Sequence, residues 1–127
     1  MANVLVVDDD AGVRRFVSAT LRSAGHRVMA VGDAESALAR LLSSRPDVFL
    51  LDINLPGMNG LSLAQKLQAQ KGTRGIPVVM LSVRKDPRDK VVAFASGAIT
   101  YLEKPFKKAD LVDAVTLALR LASRRPD

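Results

Sequence analysis

The sequence predicts an α/β protein: a doubly wound parallel sheet of five βα units, with helices on both faces in three α/β/α layers. Three observations carry this. Unbroken apolar runs occupy residues 4–7, 48–51 and 78–81. Stretches with a helical apolar period alternate with them. The runs then end on polar residues, at Asp8, Asp52 and Ser82.

Val4, Leu5, Val6 and Val7 form a β-branched run without alternation, the mark of a strand covered on both faces. In residues 11–23, Val13, Phe16, Val17 and Leu21 recur as a helical stripe, with Arg14, Arg15 and Arg22 turned to water. Asp10 suits the N-cap and Gly25 the stop. Residues 26–31 read as a shorter strand. Asp33 then caps a helix running to about residue 43 through Ala37, Leu38, Leu41 and Leu42, broken by Arg45 and Pro46.

Val48, Phe49, Leu50 and Leu51 make the second buried strand, ending at Asp52. Residues 54–60 have loop chemistry and lead to a helix from Leu61 to about Gln70; residues 71–75 read as a flexible link. Val78, Val79, Met80 and Leu81 form the third buried strand. Pro87 fits the first turn of a helix over 88–95, closed by Gly97. Residues 99–103 give a brief fifth strand. A last helix, 107 to about 123, carries Leu111, Val115, Ala118 and Ala122 on one side. One domain is expected over 1–123, with 124–127 as a tail or the start of a linker.

Five such units fit the flavodoxin-like (βα)5 arrangement, strand order 2-1-3-4-5. Sheets of this kind bind ligands beyond the carboxyl ends of their strands. Composition narrows the function. The 127 residues contain no Cys, which excludes disulfides and thiolate chemistry. No apolar run reaches the ~18 residues of a membrane span, and the opening run is too short for a signal peptide, so a cytoplasmic protein is expected. The formal charge of +6 is scattered over Arg14, Arg15, Arg22, Arg40, Lys66 and Lys90, and there are only four Phe and one Tyr. Direct nucleic-acid binding is therefore not expected.

The strand ends are the informative part. Strand one ends at Asp8 and Asp9, strand three at Asp52, strand four at Ser82, and strand five leads to Lys104. With strands one and three adjacent, three carboxylates converge, and they repel unless a cation neutralises them. Hard oxygen donors point to Mg²⁺ or Mn²⁺ rather than zinc. A central carboxylate can attack an activated phosphoryl group to form an aspartyl phosphate, with a metal ion, a lysine and a hydroxyl cancelling charge. Singly, each residue has a plainer use, and Asp10 is best read as a helix cap. Jointly, one sheet edge would have to gather all five by chance.

These residues resemble the receiver domains of bacterial two-component response regulators, the chemotaxis receivers among them. Residues 4–10 are similar to the family's first strand and acidic pair, and residues 50–60 to its phosphorylation loop. Residues 78–82 resemble its hydroxyl-bearing strand, and 97–106 its lysine-proline segment. The likeness extends from Val4 to about Arg120. It implies that Asp52 is the phosphoacceptor. Asp9 would bind the metal directly, Asp8 mainly through water, and Asn54 through its backbone carbonyl. Ser82 and Lys104 would contact the phosphoryl oxygens, and Pro105 would follow a cis peptide bond. Tyr101 matches the switch aromatic that moves with Ser82, altering the face made by helix four, strand five and helix five.

The resemblance implies a histidine kinase or histidine phosphotransfer protein as phosphodonor. It also implies a downstream protein partner or an effector domain outside these residues, and a monomer or weak phosphorylation-dependent dimer. The chain would be no conventional enzyme, catalysing its own phosphorylation and slow dephosphorylation. Some positions depart from the family. Val83 replaces a usual small residue, which implies slower dephosphorylation, and Asn54 and Arg84 hold positions that tune the same rate. Thr100 and Ala114 stand where an acid and an arginine pair across some dimers. Arg84, Lys85, Arg88 and Lys90 offer a basic face for an acidic partner. The alternatives are a pseudo-receiver that only binds protein and a haloacid-dehalogenase-type phosphatase. Intact site residues argue against the first. The second needs its Asp-x-Asp nucleophile after strand one and room for a cap domain.

Overall fold

A computed structural model describes residues 1–83 and 87–123; Arg84, Lys85 and the 124–127 tail lie outside the described residues. Ten elements alternate: β1(Asn3–Val7), α1(Ala11–Ser23), β2(Arg27–Val31), α2(Ala34–Arg40), β3(Val48–Asp52), α3(Gly60–Ala69), β4(Val78–Ser82), α4(Pro87–Ala95), β5(Thr100–Glu103) and α5(Lys108–Ser123). The strands pair in parallel in the order β2-β1-β3-β4-β5. This is the predicted flavodoxin-like order.

Side-chain alternation along the three central strands splits the core in two. Leu5, Val7, Phe49, Leu51, Val78 and Met80 face α2, α3 and α4. Val4, Val6, Val48, Leu50, Val79 and Leu81 face α1 and α5. β3 and β4 are buried along their whole length, which is why their sequences show no polar alternation. A side chain such as Leu50 or Leu63, fully removed from water, contributes about 1.5–3 kcal/mol.

The predicted caps form. Asp10 Oδ1 accepts from the N–H groups of Gly12 and Val13 at 2.7 and 3.2 Å. Asp33 Oδ1 accepts from Ser36 N–H at 2.7 Å. Each is worth roughly 1 kcal/mol to its helix. Gly25 and Gly97 take φ of +95° and +108° just past α1 and α4, a backbone region that glycine enters freely.

Four expectations need correction. α2 stops at Arg40, about three residues early and ahead of Pro46. The hydroxyls of Ser43 and Ser44 bond back to the Arg40 carbonyl at 3.5 and 3.2 Å, and a turn replaces the last helical residues. Leu42, placed on the apolar stripe, is consequently 89% exposed. The 71–75 link is tied down: buried Thr73 donates its hydroxyl to the Leu67 carbonyl at 2.6 Å. Phe16 stays at the surface and tilts against Phe106, ring centres 6.0 Å apart. Arg14 is partly buried instead of turned to water.

Candidate functional site

Parallel register builds the site. Val7 pairs with Leu51, so Asp8, just past β1, and Asp52, the last residue of β3, stand side by side at the carboxyl end of the sheet. The sheet holds both ends: Asp8 N–H donates to Val31 O at 3.1 Å, and Ile53 N–H to Leu81 O at 3.0 Å. On the far side of Asp52, β4 delivers Ser82, fully buried and in register with Glu103. Lys104 follows, its N–H donating to Ser82 O at 2.8 Å. The Lys104–Pro105 peptide bond is cis.

Asp8, Asp9 and Asp52 each place a carboxylate oxygen within 4.8 Å of the others. Asp8 is fully buried and Asp52 is 4% exposed, whereas Asp9 faces solvent. The Lys104 ammonium lies 2.6 Å from Asp8 Oδ2 and 3.5 Å from Asp52 Oδ2. Backbone N–H groups supply further positive ends: Asp10 N–H donates to Asp8 Oδ1 at 2.9 Å, and Asn54 N–H to Asp52 Oδ1 at 3.2 Å. Burial raises the Asp52 pKa above the usual carboxylate value, the Asp8 charge raises it further, and Lys104 opposes both.

This donor set fits a divalent ion that prefers oxygen. Among the described residues three carboxylates face one lysine, and the remaining negative excess suits one dication. Softer ligands are remote. The chain has no Cys, and His26 sits at the opposite sheet edge, accepting from Ala2 N–H at 3.1 Å. Asp10, the second acid of an Asp-x-Asp pattern, is engaged in capping α1.

Tyr101 lies on β5 opposite Met80, half-buried against the α2–α3–α4 side of the core. Lys90 of α4 holds its ammonium 5.7 Å from the Tyr101 ring centre and 3.1 Å from Glu103 Oε1. Lys90 is therefore occupied within the chain, although the sequence placed it on an open basic face. Sequence reasoning also missed two other residues. Gly60 packs so tightly on Asp52 that a Cβ there would meet the Asp52 carbonyl oxygen at 2.0 Å. Arg14 donates from Nη1 to the Asp8 carbonyl at 2.7 Å. Nothing in the period of α1 separates Arg14 from Arg15.

Comparison with known proteins places the sequence and the fold in one family. A family model described as response regulator receiver domain matches residues 4–116. The chain is 41% identical over 123 residues to the DNA-binding response regulator MtrA of Mycobacterium leprae (strain TN), covering 97% of this chain and 53% of MtrA. It is 33% identical over 117 residues to the phosphate regulon transcriptional regulatory protein PhoB of Pseudomonas aeruginosa, covering 92% and 51%. The chain thus spans about half the length of the curated relatives it matches. Among solved structures, the chemotaxis response regulator CheY4 of Vibrio cholerae superposes with a TM-score of 0.89 at 35% identity, covering 94% of this chain and 99% of that one. The Francisella response regulator 1452 receiver domain gives 0.88 at 28% identity, covering 95% and 98%.

Proposed function

The chain belongs to the response regulator receiver domain family, and on that premise we propose that it is a signalling switch phosphorylated on Asp52. The donor is the phosphohistidine of a histidine kinase or histidine phosphotransfer protein. The observation that carries this is the gathering of a buried Asp52, the acidic pair Asp8 and Asp9, and the Lys104 ammonium at one end of the sheet.

An Asp52 carboxylate oxygen attacks the donor's phosphorus as the phosphorus–nitrogen bond breaks, and the imidazole leaves with the bonding pair. Lys104 neutralises charge on the transferring oxygens, where positioning and charge cancellation do most of the work. Ser82 donates its hydroxyl to another of those oxygens. Asp8, Asp9, Asp52 and the Asn54 carbonyl would hold Mg²⁺, or Mn²⁺ in its place. When bound, that ion supplies a positive field for the same oxygens and lowers the repulsion among the carboxylates. Slow hydrolysis of the aspartyl phosphate returns the chain to its starting state.

The output is a change on the face of α4, β5 and α5, with Ser82 and Tyr101 as the moving parts. α4 and α5 carry exposed apolar residues, Val91, Val92, Phe94 and Leu117, which a protein partner or a joined effector domain would cover. Ala114 is 9% exposed, so nothing charged arises there to pair across a dimer, and a monomer or weak phosphorylation-dependent dimer is the proposed state. The proposed setting is cytoplasmic, in keeping with a receiver domain that takes its phosphoryl group from a histidine kinase; no described helix is long and apolar enough to cross a membrane.

Intact-mass measurement tests the proposal. With Mg²⁺ and acetyl phosphate the chain gains the mass of one phosphoryl group, and Asp52→Asn does not. An adduct that persists in Asp52→Asn overturns the assignment.

A further inference from the structure

We propose that Arg14 is a positioning residue for the acidic pair: by gripping the Asp8 carbonyl, its guanidinium fixes the turn that brings the Asp9 carboxylate to Asp8 and Asp52. The proposal rests on reading those three carboxylates as a divalent-cation site.

Asp8 lies one residue past the last paired position of β1, so the chain between Asp8 and Asp9 is leaving the sheet. Arg14 takes up that carbonyl, Nη1 to Asp8 O, at 2.7 Å. The same residue's backbone N–H bonds the Asp10 carbonyl at 3.0 Å, so one residue clamps both ends of the Asp8–Asp10 segment. The guanidinium itself is seated: a Cβ on Gly32, at the β2–α2 turn, would lie 3.3 Å from Nη1. A partly buried hydrogen bond from a charged donor is about twice as strong as a neutral one. Groups that orient metal ligands from behind commonly change metal affinity about 10–100-fold when removed.

Neighbouring arginines do otherwise. Arg22 of the same helix donates to Val28 O at 3.1 Å, at the far end of β2, and Arg15 is exposed. The sign of the effect is informative. If Arg14 acted only as a nearby positive charge, it would repel a cation, and its removal would tighten binding. If it positions Asp9, removal loosens binding.

The experiment is calorimetric titration of the full chain with Mg²⁺, beside thermal melting without metal. Arg14→Met is expected to weaken Mg²⁺ binding about tenfold. Arg14→Lys, which keeps one donor, should recover part of the loss, and Arg15→Met should change affinity less than about twofold. Unchanged or tighter Mg²⁺ binding by Arg14→Met overturns the proposal. So does a lowered metal-free midpoint with unchanged affinity, which is the signature of a purely structural role. Should Arg14→Met not fold, Arg14→Gln decides, because its side chain stays polar but ends two bonds short of the Nη1 that holds the Asp8 carbonyl. Weakened Mg²⁺ binding there supports the role and unaltered binding ends it. Wild-type chain that binds no Mg²⁺ removes the cation site itself, a failure distinct from these.

Discussion

Lys104 sides with Asp8 rather than with Asp52, its ammonium 2.6 Å from one carboxylate and 3.5 Å from the other. The fully buried Asp8 therefore has a close charged partner. Asp52 has a longer contact to the same lysine, and burial and the Asp8 charge prevail in raising its pKa. The acid with the weaker neutralisation is the one proposed to react, and Lys104 lies within a short movement of any group attached to it.

Lys104→Met leaves the buried Asp8 without its charged partner, a loss that bound Mg²⁺ offsets, and it removes the ammonium that, among the described residues, lies beside the transferring oxygens. Loss of one such donor typically slows a reaction about 100-fold or more. Phosphorylation by acetyl phosphate at saturating Mg²⁺, followed by intact mass, should slow by about that factor. A rate within threefold of wild type would assign Lys104 to structure alone.

Asp52 also makes stability depend on pH. Its pKa is raised in the folded chain, so the folded state holds this proton more tightly than the unfolded state does. Folding is favoured by the group at low pH, and that contribution is lost as pH rises from the ordinary value of 3.8 through the raised one. At neutral pH the ionised Asp52 works against the fold. Asp52→Asn should therefore melt higher than wild type at pH 7 without metal, with the gain shrinking toward pH 4. Mg²⁺ should narrow the gap by stabilising wild type, about 2.7 kcal/mol at 100 times its dissociation constant. Equal melting temperatures at pH 7 would contradict the burial effect.

Gly60 gives a steric prediction. A methyl group at this position would meet the Asp52 carbonyl oxygen at 2.0 Å and the Ile53 Cα at 3.0 Å, both backbone atoms that cannot rotate away. Gly60 N–H meanwhile donates to Ile53 O at 2.9 Å, pinning α3 to the end of β3. Gly60→Ala should cost about 3 kcal/mol in urea unfolding, at the upper end for overpacking. It should also disturb phosphorylation, because the relief must move the backbone of Asp52. A cost under about 0.5 kcal/mol would show that the helix shifts freely.

Much of this was legible in the sequence for identifiable reasons. Central strands buried on both faces write themselves as unbroken apolar runs, and parallel register then forces Asp8, Asp52 and Ser82 to one edge. The end of α2 was not legible, because Leu41 and Leu42 continue the helical period while Ser43 and Ser44 bond back to Arg40. Arg14 was hidden for a related reason: periodicity assigns a face but says nothing of what a long side chain reaches. Lys90 misled in the same way, its partners Glu103 and Tyr101 lying on another element. Gly60 looked like turn chemistry, and only the packed structure shows the backbone beneath it.

Tyr101 offers a direct view of the proposed switch. It is the only tyrosine in a chain without tryptophan, so intrinsic fluorescence reports β5 alone. Its ring is half-buried with the Lys90 ammonium 5.7 Å from its centre, a contact worth about 0.5–1 kcal/mol at an exposed site. Beryllofluoride with Mg²⁺, mimicking the phosphoryl group, should change the Tyr101 emission of wild type and leave Asp52→Asn unchanged. Lys90→Met should raise acrylamide quenching of Tyr101 before any addition, because the ring loses its cover. It should leave the rate of phosphorylation by acetyl phosphate within about twofold, since Lys90 touches none of the reacting groups and its ion pair with Glu103 is a surface one. If beryllofluoride binds, by calorimetry, and the emission of wild type does not move, Tyr101 is no part of the switch and the α4–β5 surface must signal by another route.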